Sequence, residues 1–346
     1  MKTLKFALLG VGRIGKIHAR NISLNPKSSI EFIYDINKEA ANNISKLYGG
    51  RVAPSAEDAI SNPEVDAVFI CTATPTHIDY ILMAAKAGKS ILCEKPIDLD
   101  ITKVNNCKKE LENFDVPIQI GFHRRFDPSD IAIKEKKDRG EIGTLEQIVL
   151  TSRDPSGPSA EYLKVSGGMF RDMTIHDFDL ISFILNDDPI EEIFAVGERL
   201  FSDEVKEAND IDTAMIIMKA KSGVLCHINN SRHAAYGFDQ RVGLFGNKGM
   251  LISDNLTPNS VQKFNSESTK SRDPMLNFFM ERYEIAYKNE LDRFIDCINS
   301  KKSPDVTFED GRNALIIANA AYESLENKKL VLSLIHISEP TRPLYI

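Results

Sequence analysis

Tryptophan is absent from the 346 residues, an absence that excludes nothing by itself. Other absences exclude more. No apolar run approaches the ~20 residues needed to cross a bilayer, so no transmembrane helix is expected. Met1-Lys2-Thr3-Leu4-Lys5 leads into a strand-like run without a cleavage pattern, so no signal peptide is expected either. Lys and Arg number 43 against 50 Asp and Glu, a net charge of -7, and no basic stripe is present for a nucleic acid to bind. The cysteines, Cys71, Cys93, Cys107, Cys226 and Cys297, are odd in number, widely spaced and without a Cys-x-x-Cys. That pattern excludes a disulfide framework and a thiolate zinc site, and no His or Cys pair has zinc-ligand spacing. Reduced, mostly buried thiols in a cytoplasmic protein are expected. Internal repeats and low-complexity segments are also missing. What is present is ordinary for a globular protein, with 42% apolar and 27% charged residues and a length suited to about two domains.

The first half alternates strand and helix. Leu4 to Leu9 is an apolar strand running into Gly10-Val-Gly12-Arg-Ile-Gly15, and a helical segment follows from Ile14 to Leu24. The next strand, Ile30 to Tyr34, ends in Asp35, 20 positions after Gly15. A G-x-G-x-x-G in that setting points to dinucleotide binding. Gly10 permits the tight turn, Gly12 lets the backbone approach a pyrophosphate, and Gly15 allows close packing of helix and strand. The helix start offers free N–H groups to the phosphates. Asp35 can accept from the adenosine ribose hydroxyls and repels a 2'-phosphate. No arginine follows in Ile36-Asn37-Lys38, which favours NAD, while Lys38 leaves NADP open. Further strands are expected at Val65 to Thr72, Ser90 to Cys93 and Pro117 to Gly121, with helices at Thr76 to Ala87 and Ile101 to Asn113. The result is a doubly wound parallel sheet, whose ligand-bearing loops are Thr72 to His77, Glu94-Lys95-Pro96 and Phe122 to Arg125. Lys95, at a strand end before a proline, is placed to hold a substrate hydroxyl and favour its anion.

The second half reads as α+β with a mostly antiparallel open sheet. Its strands are expected at Thr144 to Ser152, Ile190 to Val196, Thr213 to Ala220, Gly223 to Asn229, Val242 to Phe245 and Met250 to Ser253, with helices at Met173 to Leu185, Leu276 to Asn299 and Phe308 to Glu326. The domains are drawn at 1–122 and 123–331, with the last of these helices expected to pack back on the first domain. The apolar runs Met215 to Met218 and Val224 to Cys226 suggest a sheet face covered by another subunit. Within Gly167-Gly-Met-Phe-Arg-Asp172-Met-Thr-Ile-His176-Asp-Phe-Asp, Asp172 and His176 are four apart. On one helix they would share a face, and the carboxylate could orient the imidazole and raise its basicity.

Four motifs carry a resemblance: G-V-G-R-I-G at 10 to 15, C-E-K-P at 93 to 96, G-F-x-R-R-F-D at 121 to 127 and G-G-x-x-x-D-M-x-I-H-D-F-D at 167 to 179. The chain resembles the glucose-fructose oxidoreductase/inositol dehydrogenase family over about residues 3–330. With Ser152-Arg-Asp154-Pro155 and Tyr236 to Arg241, it is most similar to the myo-inositol 2-dehydrogenases within it. The resemblance implies NAD-dependent oxidation of the axial hydroxyl of myo-inositol to scyllo-inosose by a homotetramer. It implies Lys95, Asp172 and His176 as the catalytic set and Gly10, Gly12, Arg13, Ile14, Gly15, Asp35, Thr72, Glu94 and Lys95 as the cofactor set. Lys95, Arg125, Asp154, Asp172, His176 and Tyr236 would meet substrate, in a cleft between the domains. His123 departs from the family, where Asn or Met is frequent, and is read as a packed histidine or a substrate determinant. Another cyclitol or sugar dehydrogenase, and a non-catalytic NAD-binding regulator, are the rival readings.

The run from Leu332 to Arg342 reads as a translated sequencing-library adapter. Residues 332–346 are therefore expected to add nothing to the fold, His336 included, and the natural chain is expected to part from this sequence near Leu330 or Val331.

Overall fold

The computed structural model describes residues 3–186 and 188–333, so the adapter-like run lies outside it beyond Ser333. In chain order the first elements are β1 (Leu4–Leu9), α1 (Arg13–Leu24), β2 (Ser28–Tyr34), α2 (Lys38–Tyr48), β3 (Arg51–Val52), α3 (Ala56–Ser61), β4 (Ala67–Ile70), α4 (His77–Lys86), β5 (Ser90–Glu94), α5 (Ile101–Leu111), β6 (Ile118–Gly121) and α6 (Pro128–Asp138). Then come β7 (Leu145–Arg153), α7 (Ala160–Ser166), α8 (Met169–Asp172), α9 (Ile175–Leu185), β8 (Ile190–Glu198), α10 (Asp203–Glu207), β9 (Thr213–Ala220), β10 (Leu225–Ser231), β11 (Asp239–Gly246) and β12 (Gly249–Ser253). The chain closes with β13 (Gln262–Lys263), β14 (Ser271–Arg272), α11 (Phe279–Arg282), α12 (Glu284–Ser300), α13 (Phe308–Asn327) and β15 (Val331–Leu332). Two compact units result, residues 1–131 with 279–312, and residues 132–278 with the chain from 313 on.

The first unit is built on a parallel sheet in the order β3-β2-β1-β4-β5-β6. This is the strand order of a doubly wound dinucleotide-binding sheet, with its switch point beside β1. Strands β4 and β5 are buried at every position, as strands covered on both faces must be. Helix α12 contributes Leu291, Phe294 and Ile295 to the core around β1, although 140 and more residues of the other unit's chain precede it. Phe294 lies 6.4 Å from Phe6, and burying each such side chain is worth about 1.5–3 kcal/mol.

The second unit carries a mixed sheet, β12-β11-β7-β10-β9-β8-β15, antiparallel except for the β7–β10 pair. Its inner face packs on α8, α9 and the later part of α13 through Phe170, Phe178, Ile181 and Ile317. The outer face alternates as a half-covered sheet does. Val149, Met215, Ile217, Leu225, Phe245, Met250 and Ile252 are exposed there, whereas Ile216, Met218 and Cys226 point inward. Neighbours across the ladder place Ile252 opposite Gly243 and Met250 opposite Phe245, so the apolar exposure is continuous over several strands.

The expected helix from Met173 to Leu185 is present from Ile175 on, whereas the expected common helix face of Asp172 and His176 is corrected. The chain makes two short helices, α8 ending at Asp172 and α9 starting at Ile175. Thr174 N–H reaches back to the Met169 carbonyl, and the Thr174 hydroxyl donates to Asn230 on β10. That long-range bond takes the residue out of a regular helical register. Asp172 and His176 therefore stand on either side of a helix junction.

Candidate active site

The glycine turn behaves as its spacing requires. Gly10 has φ +85°, and a Cβ there would lie 2.5 Å from the Cys71 carbonyl oxygen. A Cβ on Gly15 would stand 2.1 Å from the Gly10 oxygen, while one on Gly12 would meet open space. So Gly10 and Gly15 close the turn on itself, and Gly12 leaves the backbone open to a ligand. Helices α2, α3 and α5 are capped by Asn37, Ser55 and Asp100, but α1 has no side-chain cap. Its first N–H groups are the kind an anion satisfies. Arg13 is exposed and Ile14 half-buried on that first turn. Gly12, Arg13 and Lys16 border a cleft of about 490 Å³ along α1. Asp35 receives the Val11 N–H at 2.7 Å and the Asn37 N–H at 2.8 Å. It fixes the turn and keeps acceptor capacity for ribose hydroxyls. These residues fit an NAD molecule: glycines where a side chain would intrude, an uncapped helix start for phosphate, and a carboxylate for the ribose.

The strand ends beside the turn carry the lysine. Lys95 is half-buried after β5, and the Lys95–Pro96 peptide is cis. His77, buried at the start of α4, ties this turn to the end of β4: Nδ1 lies 2.8 Å from the Pro96 carbonyl and Nε2 3.0 Å from the Thr72 carbonyl. Burial pulls its pKa down, against the pull of the two carbonyls. Thr72 also shares a hydroxyl–hydroxyl bond of 2.7 Å with Thr76. The loop from Thr72 to His77 is legible in the sequence as a ligand-bearing one, but the bracing role of His77 is not.

Glu94 was expected at the cofactor. Its Oε1 is 2.8 Å from His18 Nε2, in a buried contact with α1. Arg125 ion-pairs with Asp310 at 3.0 Å inside the first unit. His123 is a packed histidine, stacked on Tyr287 at 4.5 Å and edge-on to Tyr283 at 4.7 Å. Burial holds its pKa well below the usual range, with Arg124, Lys95, His18 and Arg282 acting the same way. Burial pushes the Cys71 and Cys93 thiols up, which keeps them neutral and unreactive.

In the second unit, Asp172 is held from two sides. Tyr162 donates to its Oδ1 at 2.8 Å, and the buried Arg232 lies 3.4 Å from Oδ2. His176 is half-buried in the first turn of α9. Thr174 and Asp177, on either side of it in the chain, belong to a network that no local pattern announces. Ser152 donates to Asp177 at 2.5 Å, Asn230 donates to the other Asp177 oxygen at 2.9 Å, and Thr174 donates to Asn230 at 2.6 Å. Gly167 ends α7 in the left-handed conformation, and Gly168 at φ +83° admits the Tyr322 hydroxyl, from which a Cβ would be 2.2 Å. Asp210 and Tyr322 then accept the Met169 and Phe170 N–H groups and cap α8. Asp154 closes β7, its backbone bonded to Ser231 and Ala234. Tyr236 donates to Asp239 at 2.7 Å and accepts from Arg153 at 2.8 Å.

Residues 4–122 match the sequence model of the oxidoreductase family with an NAD-binding Rossmann fold, and residues 134–334 match that family's C-terminal alpha/beta domain. The chain belongs to the GFO/IDH/MocA oxidoreductase family. It is similar to the inositol 2-dehydrogenase of Rhizobium meliloti, 41% identical over 95% of this chain and 99% of the relative. The solved structure of a myo-inositol dehydrogenase from Corynebacterium glutamicum superposes with a TM-score of 0.92 at 43% identity, covering 95% of this chain and 98% of that one. That of the Lactobacillus casei scyllo-inositol dehydrogenase, with bound NAD(H) and scyllo-inositol, has a TM-score of 0.88 at 29% identity, covering 96% and 99%. Family membership makes this chain an oxidoreductase whose first unit binds NAD. No helix among the described residues is long and apolar enough to cross a membrane.

Proposed function

We propose that the protein is an inositol 2-dehydrogenase that oxidises the axial hydroxyl of myo-inositol to scyllo-inosose. The observation that carries the reading is the Asp172 carboxylate, fixed by Tyr162 and Arg232, four residues before His176 in the family's C-terminal domain. NAD, when bound, supplies the hydride acceptor. His176 takes the proton of the hydroxyl, a task that suits the imidazole side chain as a general base. Asp172 orients that ring and polarises it. Lys95 binds the same hydroxyl oxygen and favours its anionic form. Asp154, Tyr236 and Arg125 serve the polyol hydroxyls directly or by bracing their neighbours. A dehydrogenase of another cyclitol or of a sugar is the second reading, supported by a solved relative that holds scyllo-inositol.

The exposed apolar strand face of the second unit supports assembly, and we assign it to a homotetramer. The free cysteines accord with a reducing, cytoplasmic setting. His176→Ala should lower turnover by about 10²–10⁴ with NAD affinity retained. Unchanged turnover on myo-inositol would reject the base assignment.

A further inference from the structure

Three polar side chains from three elements of the first unit converge on the end of β5. His18 comes from α1, Glu94 ends β5 and Glu290 comes from α12, and one nitrogen or oxygen of each lies within 4.8 Å of the others. His18 and Glu290 are fully buried and Glu94 is nearly so. His18 Nε2 lies 2.8 Å from Glu94 and, carrying a proton there, donates to it, while His18 Nδ1 has no partner among the described residues. The ring is clamped by Phe69 at 4.0 Å and the edge of Tyr287 at 5.5 Å. Gly121 makes room for the other Glu94 oxygen: a Cβ there would be 2.9 Å from it.

Glu290 is the anomaly, because neither of its carboxyl oxygens has a hydrogen-bond partner among the described residues. Gln119 on β6 gives its amide N–H to the Glu290 backbone carbonyl instead. Of the groups facing it, Glu94 brings a charge of the same sign. Tyr287 on its own helix and Cys71 beyond β4 are both pushed up by burial and stay neutral. An ionised carboxylate in that setting would lose its hydration and gain no donor in return, and such groups take a proton instead. Burial, reinforced by Glu94, holds the Glu290 carboxyl well above its usual range.

We propose that Glu290 is a positioning residue that works as a neutral carboxylic acid facing Glu94, whose carboxylate lies within 4.8 Å and makes no hydrogen bond to it among the described contacts. The protonated carboxyl sets no second negative charge against Glu94 and offers it an O–H, while the His18 N–H holds that carboxylate at the strand end from which Lys95 departs. The cluster thereby ties the dinucleotide-binding helix α1 to the lysine turn. The role given to Lys95 rests on the dehydrogenase reading.

Infrared difference spectroscopy on the full chain at neutral pH, without substrate, reads the C=O stretch of a protonated carboxyl. A band that disappears in Glu290→Gln is expected. Glu290→Gln keeps a donor of the same shape and should hold kcat within about threefold, whereas Glu290→Leu should lose on the order of tenfold in kcat. No band, or a band that survives in Glu290→Gln, overturns the neutral acid. Equal losses in the two variants overturn the positioning role. Metal in the purified protein, or a higher Tm with Zn²⁺ or Mn²⁺, overturns the proposal by putting a cation where the proton is assigned. If the wild-type protein oxidises no polyol, the dehydrogenase reading and the positioning of Lys95 fall together, while the band alone still decides the state of Glu290.

Discussion

The two units hold their functional side chains in different ways. In the first, backbone shape does it: Gly10 and Gly15 fold the turn onto itself, and Lys95 leaves the end of a buried strand. In the second, a polar network does it: Ser152, Asp177, Asn230 and Thr174 meet from β7, α9 and β10 and bracket His176 in sequence. Both units bury carboxylates, yet Asp177 receives donors on both oxygens and Glu290 on neither. A saturated network is structural support. An unsaturated one must settle its charge some other way, and that is where a proton becomes part of the design.

Changes that break one side of this contrast should leave the other intact. The largest effect is expected from Gly15→Ala, whose Cβ would collide with the Gly10 oxygen. Loss of about 100-fold in NAD affinity, roughly 3 kcal/mol, should be seen by calorimetry, with the second unit's fold retained. Next comes Asp177→Ala, which strands the Ser152 hydroxyl and the Asn230 amide. It should cost about 2–3 kcal/mol of stability in urea titration, with NAD binding preserved. Glu290→Gln sharpens the contrast, because replacing a neutral acid by an amide should change stability by less than about 1 kcal/mol. An ionised Glu290 would instead make that substitution clearly stabilising. The smallest effect on stability belongs to Ile217→Lys on the exposed sheet face, about 0.5 kcal/mol or less for the isolated subunit. Light scattering should show a tetramer for the parent chain and smaller species for the variant; a monomeric parent would remove the assembly reading.

What was legible in the sequence follows from the same contrast. The glycine turn, Asp35 and the strand-end lysine are local patterns, since each residue's task is set by neighbours within one strand-turn-helix unit. The strands of the second unit were legible as apolar runs, as at Thr213–Ala220, but which of their residues point inward was not, because Met215 to Met218 are all apolar. The junction at Met173–Thr174 was not, because the bond that breaks the helix goes to Asn230 on another strand. His18 could have been noticed three residues past Gly15, but its partner Glu94 is 76 positions away and Glu290 lies on a helix from the far side of the chain. Long-range pairing leaves no periodic trace. Helix α12 shows the same limit: its amphipathic pattern was readable, its membership of the first unit was not.

Polyol oxidation with His176 as base can be read in a single assay. NAD reduction should be followed on myo-inositol, scyllo-inositol and glucose, with the parent chain and with His176→Ala. The highest kcat/KM is expected on myo-inositol, and its collapse in the variant. Faster turnover on scyllo-inositol or glucose, or an undiminished rate in His176→Ala, would refute myo-inositol oxidation by a His176 base.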